Sequence, residues 1–319
     1  MPFVLRSAAA LVLLVLSATF GYSQDLFVVC QDESTLVRVD MSRNEVAGRI
    51  DLPPKPAMIA SAGDGRILFV THPESGQVSR VDTSAPGTSR NFSIGGMPFG
   101  IAVSEDGRVL YVGDWKANIV RKIDAETGVT LAQTKVGREP TGIALDALRD
   151  RLFVANRESR SVTEIEISSM KAIKDIEVGD GPYALTLDGS NNRLFVADAR
   201  SGDVAVIDTL SEAVVAKVPV DGAPYGIAVD SVGARIVVTR QHRDQVAIID
   251  FDGYHWDVNI KVGRFPEAVV VAKGKAYVAN WFSGDLSILD LSGERHVTTL
   301  KVGEGPRSMA MAGRGGAHE

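Results

Sequence analysis

Prolines recur at Pro56, Pro98, Pro140, Pro182, Pro224, Pro266 and Pro306; five of the six intervals are 42 residues and the last is 40. A period this regular is the mark of one supersecondary unit repeated along the chain, each copy burying its apolar face against the next. The architecture follows from the period. Function has to be sought where the copies differ.

The unit that begins at Pro140 holds four short apolar runs, at 142–145, 152–155, 162–167 and 172–178. Each is rich in Val, Ile, Leu or Phe and bounded by turn residues, and none has helical length. Four strands in about 42 residues is the size of one β-propeller blade. The first run alternates with the two-residue period of a strand: Ile101/Val103, Ile143/Leu145, Leu185/Leu187, Ile227/Val229 and Val269/Val271. Between these positions lies a mostly small column, Ala60, Ala102, Ala144, Thr186, Ala228, Val270 and Ala310, as the taper of blades toward an axis requires. Glycine stands three residues before most of the prolines, at Gly95, Gly137, Gly179, Gly263 and Gly303, and suits a tight turn between blades.

The first unit lacks its inner strand and begins with runs at 26–29, 35–39 and 46–50, whereas the C-terminus carries a spare inner strand at 307–312. Pairing the two ends closes a ring and removes free sheet edges. The expectation is an all-β, seven-bladed β-propeller of four antiparallel strands per blade, with six whole blades and one split blade.

The second-strand segments read LFVT (68–71), LYVG (110–113), LFVA (152–155), LFVA (194–197), IVVT (236–239) and AYVA (276–279). With the VG-x-x-P linkers and V-x-x-ID third strands, the chain resembles the YVTN-family β-propeller repeat proteins over nearly its whole length. That resemblance implies surface-layer proteins, quinoprotein-associated propellers and subunits like the methylamine dehydrogenase heavy chain as relatives. It also implies an accessory binding or scaffold role in periplasmic quinoprotein or cytochrome oxidation.

Residues 1–23 read as a signal peptide: Arg6, an apolar stretch at 8–16, and a small-x-small site at Gly21-Tyr22-Ser23. The stretch is too short for a membrane anchor. The expected mature chain is therefore periplasmic or secreted, with a propeller at 24–313 and a disordered tail at 314–319. Cys30 is the only cysteine, so no internal disulfide and no CxxCH haem attachment can form. A net charge of −6 makes nucleic acid an improbable partner. A monomer is expected outside any complex.

Loops between second and third strands share one face, here the upper face, with the linkers between blades. The opposite, lower face reads as structural. Asp64-Gly65 and Asp106-Gly107 are hairpin turns, and an acid ends every third strand: Asp40, Asp82, Asp124, Glu166, Asp208, Asp250 and Asp290. Local bonds from these carboxylates to turn backbone explain that column without a metal.

The upper face varies from blade to blade. The residue closing the second strand is Cys30, His72, Asp114, Asn156, Asp198, Arg240 or Asn280, and the next position includes Trp115, Arg157 and Trp281. The residue after the linker proline is Ala57, Phe99, Thr141, Tyr183, Tyr225, Glu267 or Arg307. Asn156 and Asn280 fit the repeat consensus as turn-shaping residues. The remaining aromatic and charged residues, from His72 to Arg307, form the expected site for a protein partner or small ligand.

No zincin, Walker or nucleophile-elbow pattern occurs, and no cofactor motif is evident. Two other functions compete with a binding module. One is a lactonase-like or lyase-like enzyme with a divalent cation held by Glu267, Asp114, Asn156 or Asp198. The other is single-stranded DNA binding by stacking on Trp115, Tyr183, Tyr225 and Trp281.

Overall fold

The computed structural model describes residues 25–63, 65–85 and 89–312. The expected signal peptide, the tail and Asp64 lie outside them. Within the described residues the chain forms seven four-stranded antiparallel sheets. The only helical elements there are two short 3-10 turns, Ala147–Arg149 and Gln241–Arg243. Blade 1 is the split one, with Pro306–Ala312 innermost, then Asp25–Cys30, Thr35–Asp40 and Glu45–Asp51. Blades 2 to 7 follow in chain order, with inner strands Ile59–Ser61, Pro98–Val103, Pro140–Asp146, Pro182–Asp188, Pro224–Asp230 and Pro266–Ala272. The strands of the Pro140 unit, Pro140–Asp146, Arg151–Asn156, Ser161–Glu166 and Lys171–Glu177, overlie the four apolar runs read from the sequence.

Closure occurs as expected. Leu26 pairs with Met311, Phe27 with Ala310 and Val28 with Met309, antiparallel. Among the described residues the core is divided into eight apolar clusters, seven of them each between a pair of neighbouring blades and one, built on Ala57, Phe99 and Tyr183, at the axis. Phe27, Val29, Leu36, Leu68, Val70 and Val81 join blades 1 and 2, and Val28, Val37, Tyr277, Ala279 and Ile288 join blades 7 and 1. The second and third strands together supply most of this core because they are central in their sheets, with both faces covered by neighbouring blades.

Three glycines follow directly from the convergence of blades. A Cβ on Gly100 would lie 1.6 Å from the carbonyl oxygen of Thr141; at Gly226 it would lie 2.4 Å from that of Glu267, and at Gly142 2.8 Å from that of Tyr183. Each glycine admits the neighbouring inner strand and draws the residues after the linker prolines toward the axis. Gly100→Ala and Gly226→Ala are expected to lose about 1–3 kcal/mol of stability by overpacking. Gly48→Ala, where nothing lies within 4 Å, is expected to stay near neutral. Urea unfolding followed by circular dichroism distinguishes these outcomes.

Candidate functional site

The lower-face carboxylates act locally. Asp40 accepts from the Ser42 amide at 2.8 Å and its hydroxyl at 2.6 Å, Asp124 from the Thr127 amide at 2.7 Å, and Asp290 from the Ser292 amide at 3.0 Å. Hydrogen bonds from the Ser42, Thr127 and Ser292 side chains lead in holding these three carboxyls below their ordinary range.

On the upper face two columns behave differently. The residues that close the second strands turn sideways into their own blades. His72 Nε2 meets the Ser79 hydroxyl at 2.7 Å, and Ser79 donates to Asn91 at 2.6 Å. Burial, opposed by the nearby Pro54 and Pro53 carbonyls, lowers the His72 pKa to about 4, so the ring is neutral at pH 7. Asp114 pairs with Arg121 at 2.7 Å and caps the amides of Lys116 and Ala117. Asn156 donates to Ser161 and Thr163, and Asn280 to Asp285 and Ser287. Arg240 bonds Asp221, Gln245 and Asn259, and its guanidinium lies 4.5 Å from the Trp256 ring centroid. Cys30 is buried, and burial leads in raising its thiol to about 12, which makes it unreactive. His72, Asp114, Asp198 and Arg240, all expected on the rim, thus make their contacts in separate blades and do not converge.

Asp198 is the unusual member of that column. It is fully buried; its Oδ2 accepts from the Gly179 amide at 2.9 Å, and it stands opposite Asp203 on the neighbouring strand. Burial first, and Asp203 second, raise its pKa from 3.8 to about 8. Asp198 is therefore held in its protonated form at neutral pH.

The residues after the linker prolines, by contrast, meet across the axis. Phe99 and Tyr183 lie 6.2 Å apart edge to face, and Tyr183 stacks on Tyr225 with centroids 3.7 Å apart. Arg307, carried by the ring-closing strand, donates to the Tyr183 hydroxyl at 3.1 Å from the far side of the channel. Its guanidinium lies 5.3 Å from the Phe99 centroid and 5.5 Å from the Trp281 centroid. Glu267 approaches Arg307 Nε at 3.7 Å. Together these side chains plug the upper mouth of the channel.

The plug is electrostatically tense. Glu267 is only 7% exposed, and its Oε2 has no hydrogen-bond partner among the described residues. Burial raises its pKa to about 7; Arg307 opposes that rise and Asp32 adds to it. Burial alone would lower the Arg307 pKa, but Tyr183, Glu267 and Tyr225 outweigh it and keep the guanidinium charged. Tyr225 is pushed well above its ordinary value, chiefly by burial and then by Tyr183 and Glu267.

Around the plug stand Trp115, 4.7 Å from Phe99, and Arg157, 5.7 Å from the Trp115 ring. Gln31 accepts from Arg307 at 3.2 Å, and Gln241 donates to Glu267 at 3.4 Å. Both glutamines fall in the column of Trp115, Arg157 and Trp281, one residue past the strand end, so a signal for them existed in the repeat. Phe265 and Phe282, with centroids 4.7 Å apart, extend the aromatic surface beside Trp281, and Phe282 is exposed. Phe265 lies in a linker outside both columns.

Two expectations change on this geometry. The four proposed cation ligands do not converge, because Asp114, Asn156 and Asp198 point into blades 3, 4 and 5 while Glu267 faces the axis. Among the described residues no group of three or more His, Cys, Asp or Glu side chains is placed to hold a metal ion. For base stacking, Tyr183 and Tyr225 are already occupied by each other, which leaves Trp115 and Trp281.

A family model described as a YNCE-like beta-propeller matches residues 18–192, more than half of the chain. No curated protein sequence matches. Solved structures do. A functionally unknown protein from Desulfotomaculum acetoxidans superposes with a TM-score of 0.79 at 13% identity, over 91% of this chain and 99% of that one. The Kuenenia stuttgartiensis hydrazine synthase gives 0.73 at 19% identity, over 79% and 88%. A streptogramin B lyase gives 0.70 at 14% identity, over 80% and 86%. At such identities the likeness is one of fold. No helix among the described residues is long and apolar enough to cross a membrane.

Asp198→Asn offers a test of the buried pair. A carboxyl raised from 3.8 to about 8 stabilises the native state at low pH, and that contribution drains away as pH climbs from about 4 to about 8. Asparagine can accept from Gly179 and donate to Asp203, as Asn280 donates to Asp285 at 2.9 Å. The variant is expected to melt at least about 2 °C higher at pH 8, with the gap closing toward pH 4, in paired thermal scans.

Proposed function

The chain belongs to the YNCE-like β-propeller family, and from that premise we propose that it is an exported binding module that docks a protein partner on its upper face. The observation that carries this reading is the ring of partly exposed Trp115, Arg157 and Trp281 around a buried, rigid plug. Tryptophan and arginine at the centre of a preorganised surface are the chemistry of interface hot spots. The stacked tyrosines and the enclosed Arg307 hold that surface in shape, so little conformational entropy is lost on docking. The partner that fits presents an apolar knob flanked by a carboxylate for Arg157. The finer part of the proposal is an accessory role beside periplasmic quinoprotein or cytochrome oxidation, supported by the family resemblance read from the repeats.

The test is native mass spectrometry of the protein drawn from its own host, compared with a Trp115→Ala/Trp281→Ala double variant. The expected result is a second polypeptide retained by the wild type and lost by the variant at unchanged melting temperature, each anchor contributing about 2 kcal/mol or more. A partner retained equally by both proteins would sink the reading.

A second reading, lyase-like or lactonase-like catalysis, draws on Glu267, a buried carboxyl with a pKa of about 7 and one oxygen that faces Arg307 without a hydrogen bond. That poise suits a general base. Its expected signature is turnover of a lactone panel that rises through pH 7 and vanishes in Glu267→Gln; activity retained by that variant excludes Glu267 as the base.

A further inference from the structure

Apart from the axial plug, the upper face carries a second feature that the docking surface does not use. Where the linkers and second-to-third-strand loops of blades 4 and 5 meet, an open cleft of about 540 Å³ is lined by Arg138, Glu158, Ser159, Arg160, Asp180 and Arg200. Three guanidinium groups therefore face one depression, with two carboxylates among them, in a chain whose net charge is −6. Glu158, Asp180 and Glu139 together raise the Arg200 pKa, which leaves Arg138 as the least compensated of the three.

The internal partners leave much of this donor capacity unused. Arg138 gives one Nη2 bond, of 2.6 Å, to the Glu158 carbonyl oxygen, and meets no carboxylate among the described residues. Arg160 Nη2 reaches Asp180 at 3.2 Å. Arg200 is the anchored member. Its Nη2 contacts Glu158 at 2.8 Å and the Arg157 carbonyl at 2.9 Å, and its Nε contacts Asp180 at 3.2 Å. Among the described residues the Nε and Nη1 groups of Arg138 and Arg160, and Nη1 of Arg200, make no hydrogen bond. The loops themselves are fixed: the Arg138 amide donates to the Ser159 hydroxyl at 2.8 Å, and the Asp180 amide to the Ser201 hydroxyl at 2.9 Å.

We propose that this cleft is a binding site for a small multivalent oxyanion, a phosphate-type or tricarboxylate anion held by Arg138, Arg160 and Arg200. Planar guanidinium groups with free N–H edges match such oxygens bidentately. Ser159 adds a hydroxyl, and Asp180 acts as an internal competitor that shares Arg160 and Arg200 with the ligand. The proposal stands independently of the docking reading, because none of its residues belongs to the plug.

Isothermal titration with pyrophosphate and with citrate, at low and at physiological salt, tests it. The expected result is saturable binding that weakens with salt. Arg138→Ala/Arg160→Ala is expected to weaken it at least about tenfold. Asp180→Asn should strengthen it about threefold by removing the competitor. The opposite signs of these two effects separate ligand contact from a merely structural role, and melting curves confirm that the variants fold. Absence of saturable binding by the wild type, or equal affinity in all three proteins, overturns the proposal.

Discussion

The structure depends on the antiparallel pairing of Pro306–Ala312 with Asp25–Cys30. Every other blade is a local hairpin stack, assembled from residues close in sequence. This pairing joins residues nearly the length of the chain apart, and with no disulfide available it rests on backbone hydrogen bonds, apolar packing and side-chain contacts such as that of Arg307 with Gln31. Those contacts are cumulative. Cys30, Val28 and Met309 pack against blade 7, while Phe27, Val29 and Ala312 pack against blade 2. Splitting one blade between the chain ends thus makes two interfaces contingent on a single register.

Radial convergence does the rest. As the inner strands approach the axis, side chains become too large for the space, and the chain answers with alanine or glycine along the strand. At the upper mouth the answer reverses, and large residues cross the gap. Gly100, Gly142 and Gly226 are the hinge between these regimes, since each lets a neighbouring backbone come close and carry its post-proline side chain inward. A ring of identical blades would place seven copies of one residue there. This chain places Ala57, Phe99, Thr141, Tyr183, Tyr225, Glu267 and Arg307, and the differences build an asymmetric mouth on a symmetric frame.

Much of this was legible in the repeat. The proline period located the blades, and the spare strand at 307–312 located the closure, because backbone geometry imposes both on any sequence that folds this way. The converging column was legible as well: Phe99, Tyr183, Tyr225, Glu267 and Arg307 were expected at the mouth and meet there. What could not be read was direction. His72, Asp114, Asp198 and Arg240 stand one residue from Trp115, Arg157 and Gln241-type positions, yet successive side chains near a strand end point to different places. A periodicity fixes which residues share a level but leaves open whether they face the axis or a neighbouring strand. Nor could it show that Tyr183 and Tyr225 would stack on each other, a contact made by residues of separate blades.

Arg307 lies on the closing strand, and this ties the upper mouth to closure of the ring. Glu267, Tyr225 and Tyr183 stand on blades complete in themselves, while their cationic partner comes from the strand that closes the ring. The plug assembles only when the last strand slides home against the first. The mouth therefore takes its finished shape only on a ring that has closed in the correct register.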